Sequence, residues 1–500
     1  MTTTAKTRLA TQGMLFVSLA FVTGVRAWRL EQVGLTAYDI VRNYEVIQQV
    51  ASGNFSSIFN HLSTPLYLLY SPIYQAFGGF LSLEYCTILF SVLALWRWQV
   101  VLQRAFGLSV GECCAFILLA GTSTILTDQA RSIAVEPLSL WLCAEWLGLY
   151  WGQTTSSSTQ RTHKAWVVMS VLICLNYKAL LLLPTLVVVN FFTQKPSFPW
   201  KEYLTGLLWV SLGQLTVWGT GVLLGANWKS FLGTWHYILF RPEGVNPWKQ
   251  VVTFQADFFF YLHYLADFES IILLIGLTLF AYNWWRSTSK IHQQAALVWF
   301  VVVTWLGMSL LSKAPRGLTF AYPLLYGLAL VGWREVLRQK WAFILVMTLG
   351  LCSNFYHLQQ TIFQYQPTRY PQVAVYLKQH HIHKIALTVG IHLKPFLEPN
   401  IETSVVRFES DLPALHAQGF EYVLVDDYHR IAGANVFERL RQQQPVLALP
   451  EPMLLMPILY LEHCEFTGLS YSQALDLQHC IAQEPYQLRL VRLPANLPLK

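Results

Sequence analysis

A set of charged and histidine side chains lies between or beside the apolar segments of this 500-residue sequence, where they could carry out chemistry. A carboxylate such as Asp39 can accept a proton from a reacting group, although it can equally cap the helix that follows it. Lysine and arginine at the ends of apolar segments can bind an anionic group, or they can anchor helices at the lipid interface. The set comprises Asp39, His61, Asp128, Arg131, Lys178, His236, Arg241, Lys313 and Arg316.

The elements that must position these side chains are membrane-spanning helices. Hydrophobic residues make up 54% of the chain and charged residues only 12%, about half the charged share of a soluble domain. Residues 14–356 are mostly apolar blocks, whereas residues 359–500 have ordinary soluble composition. We predict a polytopic α-helical membrane protein of about eleven spans, with residues 1–357 as the membrane module and residues 358–500 as a small extracytoplasmic α/β domain.

Lysine and arginine positions predict the orientation of the spans. Lys6 and Arg8 precede the first span and put the N-terminus in the cytoplasm. Eleven crossings then place loops 29–64 and 225–264 outside the cytoplasm, together with the C-terminal domain and the whole charged set. We predict that the protein lies in the plasma membrane. Residues 65–80 are predicted to be interfacial. The predicted spans are 14–28, 82–101, 111–127, 133–150, 204–224, 267–285, 295–311, 318–331 and 341–355. Two further short spans lie within residues 165–192 and meet near residues 176–178.

The C-terminal region alternates between strand-like and helix-like patterns and has no nucleotide-binding glycine motif. The run His380, His381 and His383 fits a polar turn better than a metal site. Cys464 and Cys480 could form a disulfide, which the sequence leaves open. Strands are predicted at 385–389, 404–408, 421–427 and 487–493, and helices at 371–381, 411–419 and 437–444.

The net charge of +7 comes from lysine and arginine residues that stand singly between apolar blocks. Because there is no basic run and no nucleic-acid motif, we expect no nucleic-acid partner. Membrane lipid is the expected surrounding instead.

Several segments, read in chain order, resemble a known class of membrane enzymes. They are AYDIVRNYEVIQQVASGNF with HLSTPLYLLYSP, TDQARSIAVEPLSLWL, LNYKALLLLP, HYILFRPEGVNPWKQ and LSKAPRGLTFAYPLLYGLAL. Their order and spacing resemble the GT-C class of glycosyltransferases, in particular the group related to protein O-mannosyltransferases and the lipid A aminoarabinose transferase (glycosyltransferase family 39-like). Asp39 is followed by Ile40 where the family often has a second acidic residue. The role of that second acidic residue is therefore either missing here or supplied by Glu45. Lys178 is followed by Ala179 where the family has glycine.

The resemblance implies an enzyme that transfers a sugar from a polyprenyl-phosphate carrier to an extracytoplasmic acceptor with inversion. The acceptor is a lipid, a glycan or a protein. Such a reaction needs a base for the acceptor and positive charge for the departing phosphate. Asp39 is the predicted base and should lie opposite the cations, across the sugar. The predicted phosphate-binding residues are Arg131, Lys178, Lys313 and Arg316.

Further residues are predicted to support the site or bind substrate. His61 and His236 lie in the outer loops, where a histidine can bind sugar, move a proton or serve a structural role. Tyr237 lies beside His236 in an aromatic-rich loop that can stack on sugar or line the interface. Glu136 either joins the site or pairs with Arg131. No cofactor is implied, and dependence on a divalent metal ion stays open.

Two other functions fit a chain of this composition. A transporter or flippase of lipid-linked or small solutes would place polar groups at mid-bilayer in broken helices and often contains internal repeats. A surface-polysaccharide polymerase or ligase would share the compartment and the substrates. The clustering of charge outside the cytoplasm and the order of the resembling segments favour the transferase.

Overall fold

The computed structural model describes residues 3–151, 159–193, 200–239, 256–287, 292–311, 313–390 and 392–493. Within these ranges the membrane module is built from α-helices. They are α1 Thr3–Ala27, α2 Tyr38–Ala51, α3 Thr64–Phe77, α4 Gly79–Phe106, α5 Val110–Gly121, α6 Thr124–Ala130, α7 Glu136–Tyr150, α8 Thr159–Leu175, α9 Leu182–Thr193, α10 Trp200–Leu223, α11 Trp228–Leu239, α12 Phe260–Phe268, α13 Ile271–Arg286, α14 His292–Leu310, α15 Tyr322–Val336 and α16 Lys340–Thr361.

Several of these helices can cross a bilayer. Among the described residues, five are long and apolar enough, and a sixth span results if α5 and α6, bent by 69°, form one broken crossing. The apolar segments Tyr177–Phe192 and Ile271–Arg286 are shorter. The prediction of a largely helical membrane protein is therefore confirmed, and the count of about eleven spans stays a prediction.

Two interruptions in the apolar segments bring cations to helix ends. After α8, the side chain of Asn176 accepts a hydrogen bond from the backbone N–H of Lys178 at 3.1 Å. This local bond competes with continuation of the helix, so residues 165–192 form two helices as predicted. After α14, Pro315 begins the 3₁₀ helix Pro315–Leu318, where its missing N–H costs no hydrogen bond. Arg316 is the next residue.

The segment that contains α2 and α3 is held by contacts between these two helices. The hydroxyl of Tyr67 donates to Oδ1 of Asn43 at 2.9 Å, and Gln48 donates to the hydroxyl of Tyr74 at 3.1 Å. Residues 65–80, predicted to be interfacial, lie mostly in α3. These bonds fix the helix that carries Asp39 at its N-terminal end.

The C-terminal domain contains a mixed five-stranded sheet. Its strands are β1 Lys384–Leu387, β2 Glu402–Val405, β3 Tyr422–Asp426, β4 Leu447–Leu449 and β5 Leu488–Arg492. They lie in the order β2-β1-β3-β5-β4, with β1 parallel to β2 and β3 and with β5 antiparallel to β3 and β4. The helices are α17 Tyr370–Gln379, α18 Leu412–Ala417, α19 Tyr428–Ile431, α20 Glu438–Gln442, α21 Pro457–Glu462, α22 Cys464–Thr467 and α23 Tyr471–Ala482. The small α/β domain is confirmed.

Five elements of this domain were not predicted, namely β4 and the helices α19, α21, α22 and α23. Strand β4 has three residues, α19 and α22 have four each, and α21 has six. Elements this short complete at most two helical turns or one strand alternation, so they leave no periodic signal in the sequence. The helix α23 is longer, and its Ser470 N-cap with Gln473 is the signal that could have identified it.

The C-terminal domain packs directly on the membrane module. The hydroxyl of Tyr471 donates to Oδ2 of Asp267 at 2.8 Å, and one hydrophobic core continues from the membrane helices into the domain. Helix α16 runs through the predicted boundary at residue 357, and the boundary stays a prediction. Cys464 is buried, Cys480 is exposed, and both are free thiols, so they form no disulfide here.

Candidate active site

Arg316 lies at the centre of a charged cluster between the membrane helices and the C-terminal domain. Its Nη1 is 3.0 Å from Oδ2 of Asp39, and its Nε is 3.0 Å from Oε2 of Glu462. Its Nη2 donates a hydrogen bond to Oε1 of Glu465, and its backbone N–H donates to Oε1 of Glu462 at 2.9 Å. All three guanidinium nitrogens therefore face carboxylates.

Asp39 lies in the first turn of α2, where it faces Arg316 on one side and His61 on the other. Its Oδ1 is 3.7 Å from Nε2 of His61. Burial raises the pKa of Asp39, but the positive charge of Arg316, followed by His61 and Lys178, outweighs burial and lowers that pKa to about 2. The N-cap of α2 is Ala37, with no side-chain cap. Asp39 is thus an ionised carboxylate in the cluster and not the helix cap.

Lys178 brings a second cation to the cluster from the break between α8 and α9. Its Nζ is 3.9 Å from Oε2 of Glu465, and it is close enough to Arg316 for the two cations to repel each other. Glu136, buried in the first turn of α7, attracts both cations. Glu136 was also a candidate partner of Arg131, but the carboxylates that act on Arg131 are Glu84, Asp128 and Glu31.

Two carboxylates of the C-terminal domain complete the cluster. Glu462 ends α21 and Glu465 lies in α22. Burial raises the pKa of Glu462 to about 8, although Arg316 acts in the opposite direction. Burial also acts on Glu465, but Arg316 and Lys178 more than compensate and hold its pKa below the usual value. Sequence reasoning missed both residues, because the short helices that carry them were not predicted.

The position of Asp39 differs from the one expected for an inverting reaction. Asp39 was expected to lie opposite the cations with a sugar between them, whereas its carboxylate contacts Arg316 directly at 3.0 Å. Opposite charges attract strongly at this distance, so the base and the cation form an ion pair and do not face each other across a sugar.

A second polar network connects the C-terminal domain to the helix that carries Asp39. The hydroxyl of Tyr428 accepts a hydrogen bond from the backbone N–H of Tyr38 at 3.0 Å, and this N–H has no acceptor within α2. The same hydroxyl is 2.7 Å from Nε2 of His463, whose Nδ1 is 2.7 Å from the carbonyl oxygen of Leu459. Burial lowers the pKa of His463. The neutral ring can then donate from Nδ1 and accept from Tyr428 at Nε2.

Two of the predicted phosphate-binding residues lie apart from these ion pairs. Arg131 is buried, and its Nη1 donates to the carbonyl oxygens of Arg26 and Trp28 at 2.6 and 2.8 Å. Lys313 is also buried, and its Nζ donates to the carbonyl oxygen of Leu311 at 2.9 Å. Asp39, Lys178 and Arg316 are the predicted residues that the fold brings together, with His61 and Glu136 beside them.

The remaining candidates are His236, Tyr237, Arg241 and Glu45. His236 is exposed on α11, while the side chain of Tyr237 and all of Arg241 lie outside the described residues. Glu45, the candidate second acidic residue, pairs with Arg42 at 2.9 Å and with Lys394 at 3.5 Å. In the part of the chain that the structure describes, no group of three or more histidine, cysteine, aspartate or glutamate residues is arranged to hold a metal ion.

Solved structures with a similar fold are known. ArnT from Cupriavidus metallidurans in the apo state aligns with a TM-score of 0.58 and 14% identity, over 84% of this chain and 94% of that one. ArnT bound to undecaprenyl phosphate gives a TM-score of 0.59 and 13% identity, over 87% of this chain and 96% of that one. The chain has the GT-C fold.

A more distant GT-C structure agrees with this assignment. The oligosaccharyltransferase of Archaeoglobus fulgidus, in a complex with Zn and sulfate, aligns with a TM-score of 0.51 and 10% identity, over 84% of this chain and 69% of that one. No profile of a known protein family matches the sequence, and no curated protein does. The resemblance to the GT-C class, and to the lipid A aminoarabinose transferase within it, is confirmed at the level of fold.

Proposed function

We propose that this protein transfers a sugar from a polyprenyl-phosphate carrier to an extracytoplasmic acceptor, with inversion at the anomeric carbon. The observation that carries the proposal is the contact of Asp39 with Arg316 beside Lys178, which joins a base and two cations in one cluster. Support comes from the GT-C fold, since one structure with this fold is ArnT bound to undecaprenyl phosphate. A second, the oligosaccharyltransferase, is tethered to an acceptor peptide.

The reaction assigns a separate task to each charge. The acceptor hydroxyl attacks the anomeric carbon and gives its proton to the carboxylate of Asp39. The bond between the anomeric carbon and the phosphate oxygen breaks, and its electron pair leaves with the polyprenyl phosphate. Arg316 and Lys178 offset the negative charge that develops on that phosphate.

The ion pair also controls the strength of the base. With a pKa of about 2, Asp39 is a weak proton acceptor while it contacts Arg316. When the carrier phosphate binds the guanidinium, its negative charge weakens the effect of Arg316 on Asp39, so the pKa of Asp39 rises and the carboxylate becomes a better base. Binding of the carrier phosphate thereby strengthens the base.

The proposal includes the arrangement of the chain in the plasma membrane. About eleven spans put the N-terminus in the cytoplasm and the charged cluster, with the domain after residue 357, outside it. A carrier with its sugar exposed at the outer leaflet would then enter the cluster from the membrane. Arg131 and Lys313, which lie apart from Arg316, are proposed to bind the carrier only if the loaded site reorganises.

A transporter fits the cluster less well. A transported solute must enter from one face and leave by the other, which calls for polar groups at mid-bilayer. The ion pairs described here join the C-terminal domain to helix ends, and a domain docked in this way would obstruct the exit on its side. We therefore keep the transferase as the proposed function.

The deciding experiment incubates the purified full chain with a panel of polyprenyl-phosphate sugars and measures released polyprenyl phosphate. At least one sugar should give release that depends on added acceptor lipids, glycans or peptides. Release from none of them, in membranes where the chain is folded, would contradict the proposal. Transport of the same lipids across vesicles without any cleavage would support the flippase instead.

The hydrogen bond from Tyr38 to Tyr428 predicts a positioning role for the tyrosine. We expect Tyr428→Phe to reduce the free energy of unfolding by about 1–3 kcal/mol, because it leaves a part-buried N–H and a buried histidine nitrogen unpaired. It should also lower kcat about tenfold by shifting the start of α2. The KM for the donor should not change, because Tyr428 contacts neither Lys178 nor Arg316.

The matched control is Tyr376→Phe, whose ring stacks on His380 at the surface of the C-terminal domain. This variant should keep the kcat and the stability of the parent. A Tyr428→Phe protein that loses stability but keeps kcat would show that the hydroxyl supports folding and does not position Asp39.

A further inference from the structure

The cluster places three carboxyl groups against two cations, which conflicts with its proposed task of binding a phosphate. Arg316 and Lys178 are the cations, and Asp39, Glu462 and Glu465 are the carboxylates that contact them. A phosphate added to this arrangement would meet like charge on several sides. Some of the carboxylates must therefore leave the cations before a phosphate can bind.

The contacts of Arg316 identify which carboxylates must leave. A guanidinium binds phosphate through two neighbouring N–H groups, and here Nε faces Glu462 while Nη2 donates to Glu465. Glu465 also reaches Lys178 at 3.9 Å, so one carboxylate bridges both cations as a phosphate would. Asp39 contacts only Nη1 of Arg316. The edge formed by Nε and Nη2, which could bind a phosphate through two N–H groups, is therefore occupied by the two glutamates.

We infer that Glu462 and Glu465 of the C-terminal domain occupy the place of the carrier phosphate in the empty enzyme and are displaced by the donor. This inference rests on the proposed function and adds that the C-terminal domain sets donor affinity. The two carboxylates hold Arg316 and Lys178 in position and compete with every donor for them. A glutamate side chain has three rotatable bonds, and a change of rotamer is the movement that we expect to release the cations.

The two glutamates should not contribute equally. Glu465 contacts both cations and its pKa lies below the usual value, so it is ionised at neutral pH. Burial raises the pKa of Glu462 to about 8, so Glu462 is largely neutral there and holds Arg316 less tightly. Glu465 is therefore the stronger competitor.

The test measures the affinity of the detergent-solubilised full chain for undecaprenyl phosphate at pH 7. Glu465→Gln is expected to bind about tenfold more tightly than the parent, because a neutral amide competes less for the cations. Glu462→Gln should bind up to about threefold more tightly, and the double variant should bind at least as tightly as Glu465→Gln. The melting temperature of each variant shows whether it is folded.

The control is Glu484→Gln. Like Glu465, Glu484 is a carboxylate of the C-terminal domain that pairs with cations, but its partners are Arg430, Arg441 and Arg489 and not Arg316 or Lys178. Its affinity for undecaprenyl phosphate should equal that of the parent.

The outcomes separate the inference from the proposed function. If the parent binds and the Gln variants bind equally or more weakly, the glutamates do not compete with phosphate and the inference alone fails. Binding by Glu465→Gln but not by the parent would support both. If the folded parent and all folded variants fail to bind, the inference and the proposed function fall together.

Discussion

Asp39→Asn is expected to lower the rate of sugar transfer at least about a hundredfold, the usual share of a general base. Asparagine has the size of aspartate but cannot accept a proton from the acceptor hydroxyl at neutral pH. Affinity for undecaprenyl phosphate should be equal or higher, since one of the three carboxylates around Arg316 loses its charge. Single-turnover release of polyprenyl phosphate, compared with equilibrium binding, separates these two effects.

The matched control for this variant is Glu45→Gln on the same helix. Glu45 pairs with Arg42 and Lys394, so its removal changes the charge of α2 without touching Arg316. We expect transfer close to that of the parent. If Asp39→Asn retained full turnover, Asp39 would have no part in the reaction. If Glu45→Gln were equally impaired, the second acidic residue of the family pattern would be the better candidate for the base.

Arg316→Met is expected to affect both stability and donor binding. It leaves Asp39, Glu462 and Glu465 facing one another without their shared cation, which should reduce the free energy of unfolding by about 3 kcal/mol. Affinity for undecaprenyl phosphate should fall about a hundredfold, because a buried charged partner of the phosphate is lost. Thermal unfolding in detergent and carrier binding measure the two effects.

A triple variant separates the structural part of this effect from the functional part. Adding Glu462→Gln and Glu465→Gln to Arg316→Met removes two of the three carboxylates that lose their cation, so the melting temperature should return towards that of the parent. Carrier binding and turnover should stay low, because no guanidinium is present. If the triple variant recovered both stability and binding, Arg316 would be a structural counterion and Lys178 alone would bind the phosphate.

The sequence predicted the membrane half of the site better than the soluble half. Asp39 lies in a predicted polar loop, and the resemblance to the GT-C class is what favoured it as the base. Lys178 and Arg316 are each a charge at the end of a long apolar segment, where a charge is costly unless it has a partner. Arg131 and Lys313 satisfy the same criterion but lie elsewhere. Position along a span fixes the depth of a residue in the bilayer, but it does not fix which neighbouring helix the residue faces.

The soluble half was missed because its contacts are distant in sequence. Arg316 and Glu462 are 146 residues apart, and Arg316 and Glu465 are 149 residues apart. Nothing in the sequence around Glu462 or Glu465 marks either as a partner of a membrane residue. The same holds for Tyr428, which contacts Tyr38 across 390 residues.

The sequence by itself determined the helical membrane class, the positions of most helices and the small α/β domain. Apolar length and periodicity are local properties that each segment expresses on its own. Only the tertiary structure decided which cations meet Asp39 and that the C-terminal domain supplies carboxylates to them. Those pairings depend on how the helices pack and how the domain docks. The paired residues lie far apart in the sequence and meet only when the chain folds, so no local pattern indicates them.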